Sequence, residues 1–368
     1  MGPMIVVRRV VMPVSESVSW TVVGDDGTVI EPIEKYLAYL TALERSPNTV
    51  VAYATSLRLF FEFCRRADLA WAEVGAEDVA RFVSWLRAPA DNVVVLGSAA
   101  GRRSPATVNR HLAAVFGFYD FHARAGVAVA AQLVAWRRVG RGSYKPLLHH
   151  VTKGRPIATR PVKLPVARRP PRALRAEEVV AILAAAERAR DRFLLALLAG
   201  TGMRIGQALG LRHSDVMSRA KQIRIVARAD NANGARAKLA STAVIPVSAG
   251  LVRLYSDYMH SEYRELESDY VFVNLWGGRV GAPLTYAAVH KLFERIQARS
   301  GVEFTAHILR HTHATELVRA GVAIDVVAKL LGHRSSTTTS GTYVHLDVSD
   351  AREALRRAGV LDDKEPQQ

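Results

Sequence analysis

The sequence has a single cysteine, Cys64, and no apolar run long enough to cross a bilayer. One cysteine excludes an intrachain disulfide, and its position in "FFEFCRR", on the apolar face of a predicted helix, indicates core packing. The first residues, "MGPMIVVRRVVMPV", interrupt their apolar character at Arg8 and Arg9 and lack a small-residue cleavage site. We therefore expect a soluble cytoplasmic protein with no membrane partner.

Acidic residues are also few, with 34 Asp and Glu against 50 Lys and Arg, for a formal net charge of +16. Such a surplus favours a polyanionic partner, nucleic acid before an anionic membrane. The chain has 368 residues, more than one typical core of roughly 100 to 200 residues, so we expect two globular units and connecting segments.

The first part of the chain predicts an arm and then a helical unit. Residues 1–30 alternate weakly and contain an Asp26-Gly27 turn between β-branched runs, which favours a small hairpin or N-terminal arm. Residues 31–136 have a helical period, and two segments begin with Ser-Pro, at Ser46 and Ser104, which predicts an N-cap followed by a proline. The helices are expected in "EPIEKYLAYLTALE", "SPNTVVAYATSLRLFFEFC", "GAEDVARFVSWLRA" and "SPATVNRHLAAVFGFYDF".

A basic linker is expected at residues 137–172. Between Arg137 and Ala176 the chain carries twelve Arg or Lys, six Pro and no acidic residue, so we expect neither a buried core nor regular structure. A solubilising tether would explain this composition, but a run of one sign is better explained by contact with phosphates.

The rest of the chain predicts a mixed unit at residues 173–348. Two helices are expected in "LRAEEVVAILAAAERARDRFLLALLAGTG", two strands in "QIRIVARA" and "STAVIPVS", and further helices in residues 283–331. The fold class is thus mainly α with a small β-sheet or hairpin. Residues 349–368 predict a C-terminal helix and tail, with Ser349 or Asp350 as the cap, that packs on its own domain or on a neighbouring copy.

Two short motifs contain residues suited to bind an anion. "TGMR" places Arg204 between two helices, where a capping or ion-pair role is also open. "HILRH" brings His307 and Arg310 three residues apart, on adjacent faces of a helix. A metal site is another interpretation, because His307 and His311 are four apart, but no Glu stands between them and no Cys is near, which disfavours it.

Two further motifs follow. "LLGH" puts His333 directly after Gly332, a natural end for a helix. "TYVH" contains Tyr343, a residue that taken alone is more typical of packing than of nucleophilic attack.

The ordered set resembles the tyrosine recombinase family, the phage integrases and their transposon-borne relatives. The family pattern is "TGxR", a hairpin lysine, "HxLRH", "LGH" and a tyrosine; Lys238 takes the lysine position because it stands eight residues before Pro246. The resemblance covers residues 31–345 and implies a helical core-binding domain followed by a mixed α/β catalytic domain. This sequence departs from it at Gln207, where the family usually has an acid, and in a His333–Tyr343 interval one residue longer than common.

The resemblance also implies roles. The scissile phosphate would be held by Arg204, His307, Arg310 and His333, with Lys238 as general acid and Tyr343 as nucleophile, without metal, cofactor or ATP. The product would be a 3′-phosphotyrosine. The partner would be duplex DNA with specific recombination sites, bound by a homotetramer in the nucleoid during integration, excision or transposition of a mobile element.

Contacts to DNA outside the reacting phosphate are expected at the start of one helix and in the linker. The candidates are Arg102, Arg103, Asn109, Arg110, Arg168 and Arg169, and for each a merely solvated position is equally open. Three other functions remain as alternatives: a type IB topoisomerase, a DNA-binding protein with a decayed site, and a metal-dependent nuclease.

Overall fold

The computed structural model describes residues 4–11, 18–88, 103–129, 135–137, 157–159, 162–166, 172–237, 242–332, 352 and 355–361. The chain divides into two compact units, Met1–Arg168 and Arg169–Gln368. None of the described helices is long and apolar enough to cross a membrane.

The first unit opens with two antiparallel strands, β1 (Val6–Val11) and β2 (Val18–Val23), with Val6 opposite Val23. The predicted Asp26-Gly27 turn follows β2, and Gly27 has a φ of 78°, which glycine adopts without steric cost. Ile5 and Val22 are buried in the same core as the helices of this unit. The segment expected as a separate arm therefore contributes to the core.

The helices of the first unit lie where the sequence predicts them. They are α1 (Glu31–Ala42), α2 (Pro47–Arg66), α3 (Ala76–Arg87) and α4 (Pro105–Arg124). Ser46 and Ser104 are confirmed as N-caps, since their hydroxyls accept hydrogen bonds from the backbone N–H of Thr49 and Thr107. Cys64 is buried, which confirms its packing role.

The basic linker has more structure than its composition predicts. Strands β3 (Ala135–Arg137) and β4 (Ile157–Thr159) form a short antiparallel pair. Farther on, the backbone of Leu164 is hydrogen-bonded at both N–H and C=O to the Asn109 side chain. The expectation of no regular structure is wrong at β3 and β4, because these two short segments contain no proline and their backbone groups can pair with each other. Leu164, which precedes Pro165, finds its partners in a side-chain amide instead.

The second unit combines helices with a small sheet. Its first helices are α5 (Ala176–Ala184), α6 (Ala189–Thr201) and α7 (Ile205–Leu209). The antiparallel sheet follows in the order β5 (Val216–Met217), β6 (Gln222–Ile225) and β7 (Ala243–Pro246). The two predicted strands are thus confirmed, and β5 is an addition that the sequence did not indicate.

Four further α-helices follow in the described part of this unit, and a π-helical segment, Met259–Tyr263, extends the first of them. They are α8 (Ala249–Tyr258), α9 (Tyr286–Ser300), α10 (Ala306–Arg319) and α11 (Ile324–Leu331). Helix α6 packs against α8 and α10 and buries a run of leucines with Phe193. Since α6 is fixed on both sides, the turn at its C-terminal end is held in place.

The described residues of the C-terminal segment pack on their own chain. Leu355 and Leu361 are buried in one cluster with residues of α10 and α11. Arg352 donates hydrogen bonds to the carbonyls of Ala220 and Lys221, at 2.8 and 2.9 Å. Of the two placements expected for this segment, the structure shows packing on its own domain; Ser349 and Asp350 lie outside the described residues.

Candidate active site

Arg204 lies in the turn between α6 and α7. Helix α6 ends at Gly202, which has the left-handed φ of 61°, and Arg204 then occupies the N-cap position of α7. Its backbone N–H donates to Oε1 of Gln207 at 2.6 Å, and Nε2 of Gln207 donates to the Ala237 carbonyl at 3.4 Å. Gln207, at the position where an acid is usual, therefore holds the turn that presents Arg204.

The Arg204 side chain is half-buried and points to the end of α11. Its Nη1 and Nη2 atoms lie 3.3 and 3.4 Å from the carbonyl oxygen of Gly332. Burial lowers the pKa of the guanidinium. Gly332 itself is the left-handed end of α11, with φ 60°, which confirms the helix stop predicted there.

Arg310, on α10, is buried, with 6% of its surface exposed. Nη1 donates to the Gly202 carbonyl at 2.8 Å and Nη2 to the Leu331 carbonyl at 2.6 Å. Its pKa falls to about 10, first because of burial and then because of the positive charge of Arg204. The C-terminal ends of α6 and α11 therefore fix the fork of this arginine.

The two guanidiniums thus converge on the last carbonyls of α11 without a described carboxylate to neutralise them. Carbonyl oxygens orient an arginine but carry no net charge, so the positive charges remain available to an anion. Two like charges brought together at partial burial are each destabilised, and an incoming anion relieves that cost. The arrangement is suited to a phosphate group with developing negative charge.

His307 lies exposed in the first turn of α10, one turn before Arg310. Thr305 is the N-cap of this helix, and its hydroxyl accepts a hydrogen bond from the backbone N–H of Ile308. This N-cap fixes the start of the motif, so that His307 faces solvent while Arg310 enters the interior.

His313 is a site residue that the sequence analysis did not single out. Burial lowers its pKa to about 4, aided by the charge of Arg310 and opposed by a hydrogen bond to the Ala199 backbone. A Cβ atom added to Gly202 would lie 2.7 Å from Cδ2 of His313. The neutral ring therefore packs under the turn whose carbonyl holds Arg310, and the third histidine of "HILRHTH", three after Arg310, was the available signal.

Several predicted site residues lie outside the described part of the chain. These are the catalytic candidates Lys238, His333 and Tyr343 and the DNA-contact candidates Arg102, Arg168 and Arg169. Ala237 precedes Lys238 in the sequence, and its carbonyl accepts a hydrogen bond from Gln207 of α7.

The described DNA-contact candidates belong to the first unit, and they differ from one another. Arg110 is exposed, and Arg103 is half-buried with Nη1 donating to the Leu86 carbonyl at 3.1 Å. Asn109 instead binds the Leu164 backbone through both its amide nitrogen and its oxygen, at 2.9 and 2.8 Å. This link to the linker was not expected from the sequence; it uses one of the two amide N–H donors of Asn109, and the DNA contact predicted for this residue stays a prediction.

Comparison with known proteins covers both units. Residues 172–350 match the phage integrase family, and residues 33–126 match the phage integrase N-terminal SAM-like domain. Transposase A from transposon Tn554 of Staphylococcus aureus is 40% identical over 331 residues, 89% of this chain and 91% of that protein. Tyrosine recombinase XerD of Mycobacterium leprae is 32% identical over 338 residues, 87% of this chain and 94% of that protein.

Solved structures share the fold at low identity. The Tn1549 transposon integrase in complex with transposon right end DNA matches with a TM-score of 0.57 at 15% identity, over 89% of this chain and 99% of that one. A lambda integrase tetramer bound to a Holliday junction matches with a TM-score of 0.55 at 17% identity, over 84% and 78%. The predicted fold class, helical with a small sheet, is confirmed.

The fold and the sequence relatives define a site-specific DNA recombinase of the tyrosine type, an enzyme that cleaves and rejoins DNA strands. The chain belongs to the phage integrase family, so the resemblance drawn from its motifs is confirmed.

Proposed function

We propose that this protein recombines duplex DNA at the ends of a mobile element, with Tyr343 as the nucleophile. The observation that carries the proposal is the convergence of Arg204 and Arg310 on the end of α11, with both guanidiniums held by uncharged carbonyls. The name of the Tn554 transposase, 40% identical over most of both chains, supports transposition as the biological setting.

The proposed reaction is a transesterification. The Tyr343 oxygen attacks the phosphorus of a phosphodiester, the bond to the 5′ oxygen of the next sugar breaks, and a 3′-phosphotyrosine forms. Arg204, Arg310, His307 and His333 stabilise the charge that develops on the non-bridging oxygens. A histidine of the site accepts the phenol proton of Tyr343, and Lys238 gives a proton to the departing oxygen. Because the phosphodiester energy is retained, a hydroxyl of another strand can reverse the step without ATP.

The proposed partners are duplex DNA and further copies of the chain. Solved relatives of the same fold are bound to DNA, and one is a tetramer on a Holliday junction, which supports a tetrameric complex on two duplexes. The candidates for phosphate contacts are Arg102, Arg103, Asn109 and Arg110 at the start of α4, and Arg168 and Arg169 in the linker. The setting of this activity is the cytoplasmic nucleoid.

A type IB topoisomerase or a decayed DNA-binding protein would differ in product. Recombination joins strands from two defined duplexes, whereas a topoisomerase releases relaxed circles from one. A decayed protein would bind DNA without any covalent step.

Covalent capture tests the proposal. The protein is incubated in EDTA with nicked duplexes that carry the ends of its element, and adducts are resolved on denaturing gels and mapped by peptide sequencing. We expect an adduct at Tyr343 in the parent and in Tyr39→Phe, an exposed tyrosine of the first unit, but none in Tyr343→Phe, which should keep its DNA affinity. An adduct formed by Tyr343→Phe would overturn the assignment, and cleavage that requires a divalent metal and leaves no adduct would favour a metal-dependent nuclease.

A further inference from the structure

A second basic cavity lies in the catalytic unit, away from the two site arginines. It has a volume of about 410 Å³ and lies between the N-terminal end of α6 and one face of α9, with Trp276 in its wall. Helix α6 has 13 residues, so this end lies about 20 Å from the Gly202 carbonyl that holds Arg310. One phosphate cannot bridge the two places.

The carboxylates of this Trp276 cavity are already neutralised. Asp191 pairs with Arg190 at 2.7 Å, and Glu187 pairs with Arg299 at 3.1 Å. Arg188, Lys291 and Arg295 also line the cavity, are exposed, and form no ion pair with any residue that the structure describes. Three positive charges are therefore available to a ligand.

The cations form a line. Lys291, Arg295 and Arg299 are four residues apart along α9, so they share one face of the helix and span about 12 Å. A single small anion would contact one or two of them. Arg299 of this stripe is paired with Glu187, so the cations open to an extended polyanion are Lys291 and Arg295, joined by Arg188 from the opposite wall.

Trp276 orders the opposite wall of the cavity. Its indole is 44% exposed, and the guanidinium carbons of Arg188 and Arg190 lie 4.2 and 4.9 Å from the ring centroid. Stacking on the ring limits the conformations of Arg188, which lowers the entropic cost of fixing that side chain on an anion. The Arg190 side chain is fixed further by a hydrogen bond to the Val273 carbonyl at 3.0 Å.

We propose that the Trp276 cavity binds backbone phosphates of the substrate duplex outside the cleavage position. This inference rests on the proposed recombinase function, because it takes the polyanion to be the DNA on which the chain acts. With a rise of about 3.4 Å per base pair, a separation of about 20 Å corresponds to roughly six base pairs. The contact would lengthen the footprint of the catalytic unit without reading base sequence.

The test compares two charge-matched double variants. Lys291→Gln/Arg295→Gln removes two cavity cations, and Arg219→Gln/Arg253→Gln removes two exposed cations that do not line the cavity. Affinity for a long duplex is measured by fluorescence anisotropy over a range of salt concentrations. Each lost phosphate contact should reduce the slope of log K against log salt by about 0.9, so the cavity variant should lose about 0.9 to 1.8 more than the control.

Two further readouts separate this contact from the chemistry. The first uses a duplex trimmed to about four base pairs on either side of the cleavage position, which is too short to reach a cavity roughly six base pairs away. On this duplex the two double variants should have the same affinity. At saturating DNA, the cavity variant should still form the Tyr343 adduct at the parent rate. If the parent itself forms no adduct, the recombinase function is refuted, whereas the salt slopes still test whether the cavity binds DNA.

Equal salt slopes for both double variants on the long duplex would overturn the inference. So would a cavity variant with parental DNA affinity but altered self-association on sizing columns, since that result assigns the cavity to a protein contact.

Discussion

Arg310 gives one hydrogen bond to the turn after α6 and another to the end of α11, and a lysine cannot reproduce both. Arg310→Lys should therefore lower the rate of DNA cleavage about 10²- to 10³-fold, the range seen when one preorganised donor to a transition state is lost. Single-turnover formation of the covalent adduct measures this rate.

Arg319→Lys provides the control for that substitution. Arg319 lies on the same helix but is exposed and pairs with Glu316 at 2.8 Å, so its replacement should leave cleavage unchanged. If Arg310→Lys cleaved at a rate near that of the parent, Arg310 would not bind the phosphate.

The residues of the site were predictable to different degrees. Arg204, His307 and Arg310 stand in short motifs whose order alone identifies them. His313 stands in the same run, "HILRHTH", but nothing local shows that it packs under Gly202, which is distant in sequence. The link between Asn109 and Leu164 was missed for the same reason: the two residues are 55 apart, and no local periodicity reveals such a pair.

At the scale of elements, the turn after α6 can be tested by comparison with the turn after α9. Gly202 and Gly301 both end a helix in the left-handed region, at φ 61° and 67°. A Cβ at Gly202 would meet His313 and Leu331 at 2.7 Å, whereas a Cβ at Gly301 would meet nothing within 4 Å. A residue with a Cβ would therefore meet the same backbone strain at both positions, but would contact neighbouring side chains only at Gly202.

Gly301→Ala should lower the free energy of unfolding by about 1 kcal/mol, the cost of the left-handed backbone for an L-residue. Gly202→Ala should lower it by a further 1 to 3 kcal/mol, roughly, from overpacking, and should reduce cleavage by displacing the carbonyl that holds Arg310. Urea denaturation and adduct formation measure the two effects. Equal losses for both variants would mean that His313 and Leu331 do not constrain the turn.

Local signals identified some elements of the fold and were overlooked in others. Ser-Pro starts and stripes of buried residues identified α2 and α4. Helix α8 was not predicted although Leu251, Leu254, Tyr255 and Tyr258 have helical spacing, whereas β5 has two residues, too few to alternate. Both are fixed by their neighbours: β5 pairs with β6, and α8 packs against α6.

For the molecule as a whole, the link between Asn109 and the linker can be probed by proteolysis. Asn109 accepts a hydrogen bond from the N–H of Leu164, which belongs to the Lys163–Leu164 peptide bond. In Asn109→Ala, that bond loses its partner and trypsin should cut after the exposed Lys163 severalfold faster, as mapped by mass spectrometry. Asn48→Ala, an exposed residue of α2, should be cut like the parent. Equal rates for the two variants would show that Asn109 does not hold the linker.

Among the described residues, the two histidines whose pKa falls to about 4 lie one in each unit, and they make the protein sensitive to acid. His111 lies in the first unit, with Nδ1 3.0 Å from the Ser56 hydroxyl, and His313 lies in the second. Burial, as the largest cause, lowers the pKa of each to about 4, while an unfolded histidine has a pKa of about 6.5. Between these values the unfolded chain binds more protons, so the free energy of unfolding must fall as pH falls from 6.5 to 4.

At pH 5 each histidine should cost about 2 kcal/mol of stability relative to pH 7, an order-of-magnitude figure from this linkage. Thermal denaturation followed by circular dichroism at both pH values should show the loss in the parent and a smaller loss in His111→Gln/His313→Gln. His290→Gln, an exposed histidine beside Glu294, should behave like the parent because its ring is hydrated in both states. A double variant as acid-sensitive as the parent would mean that other groups, such as paired carboxylates, dominate the pH dependence.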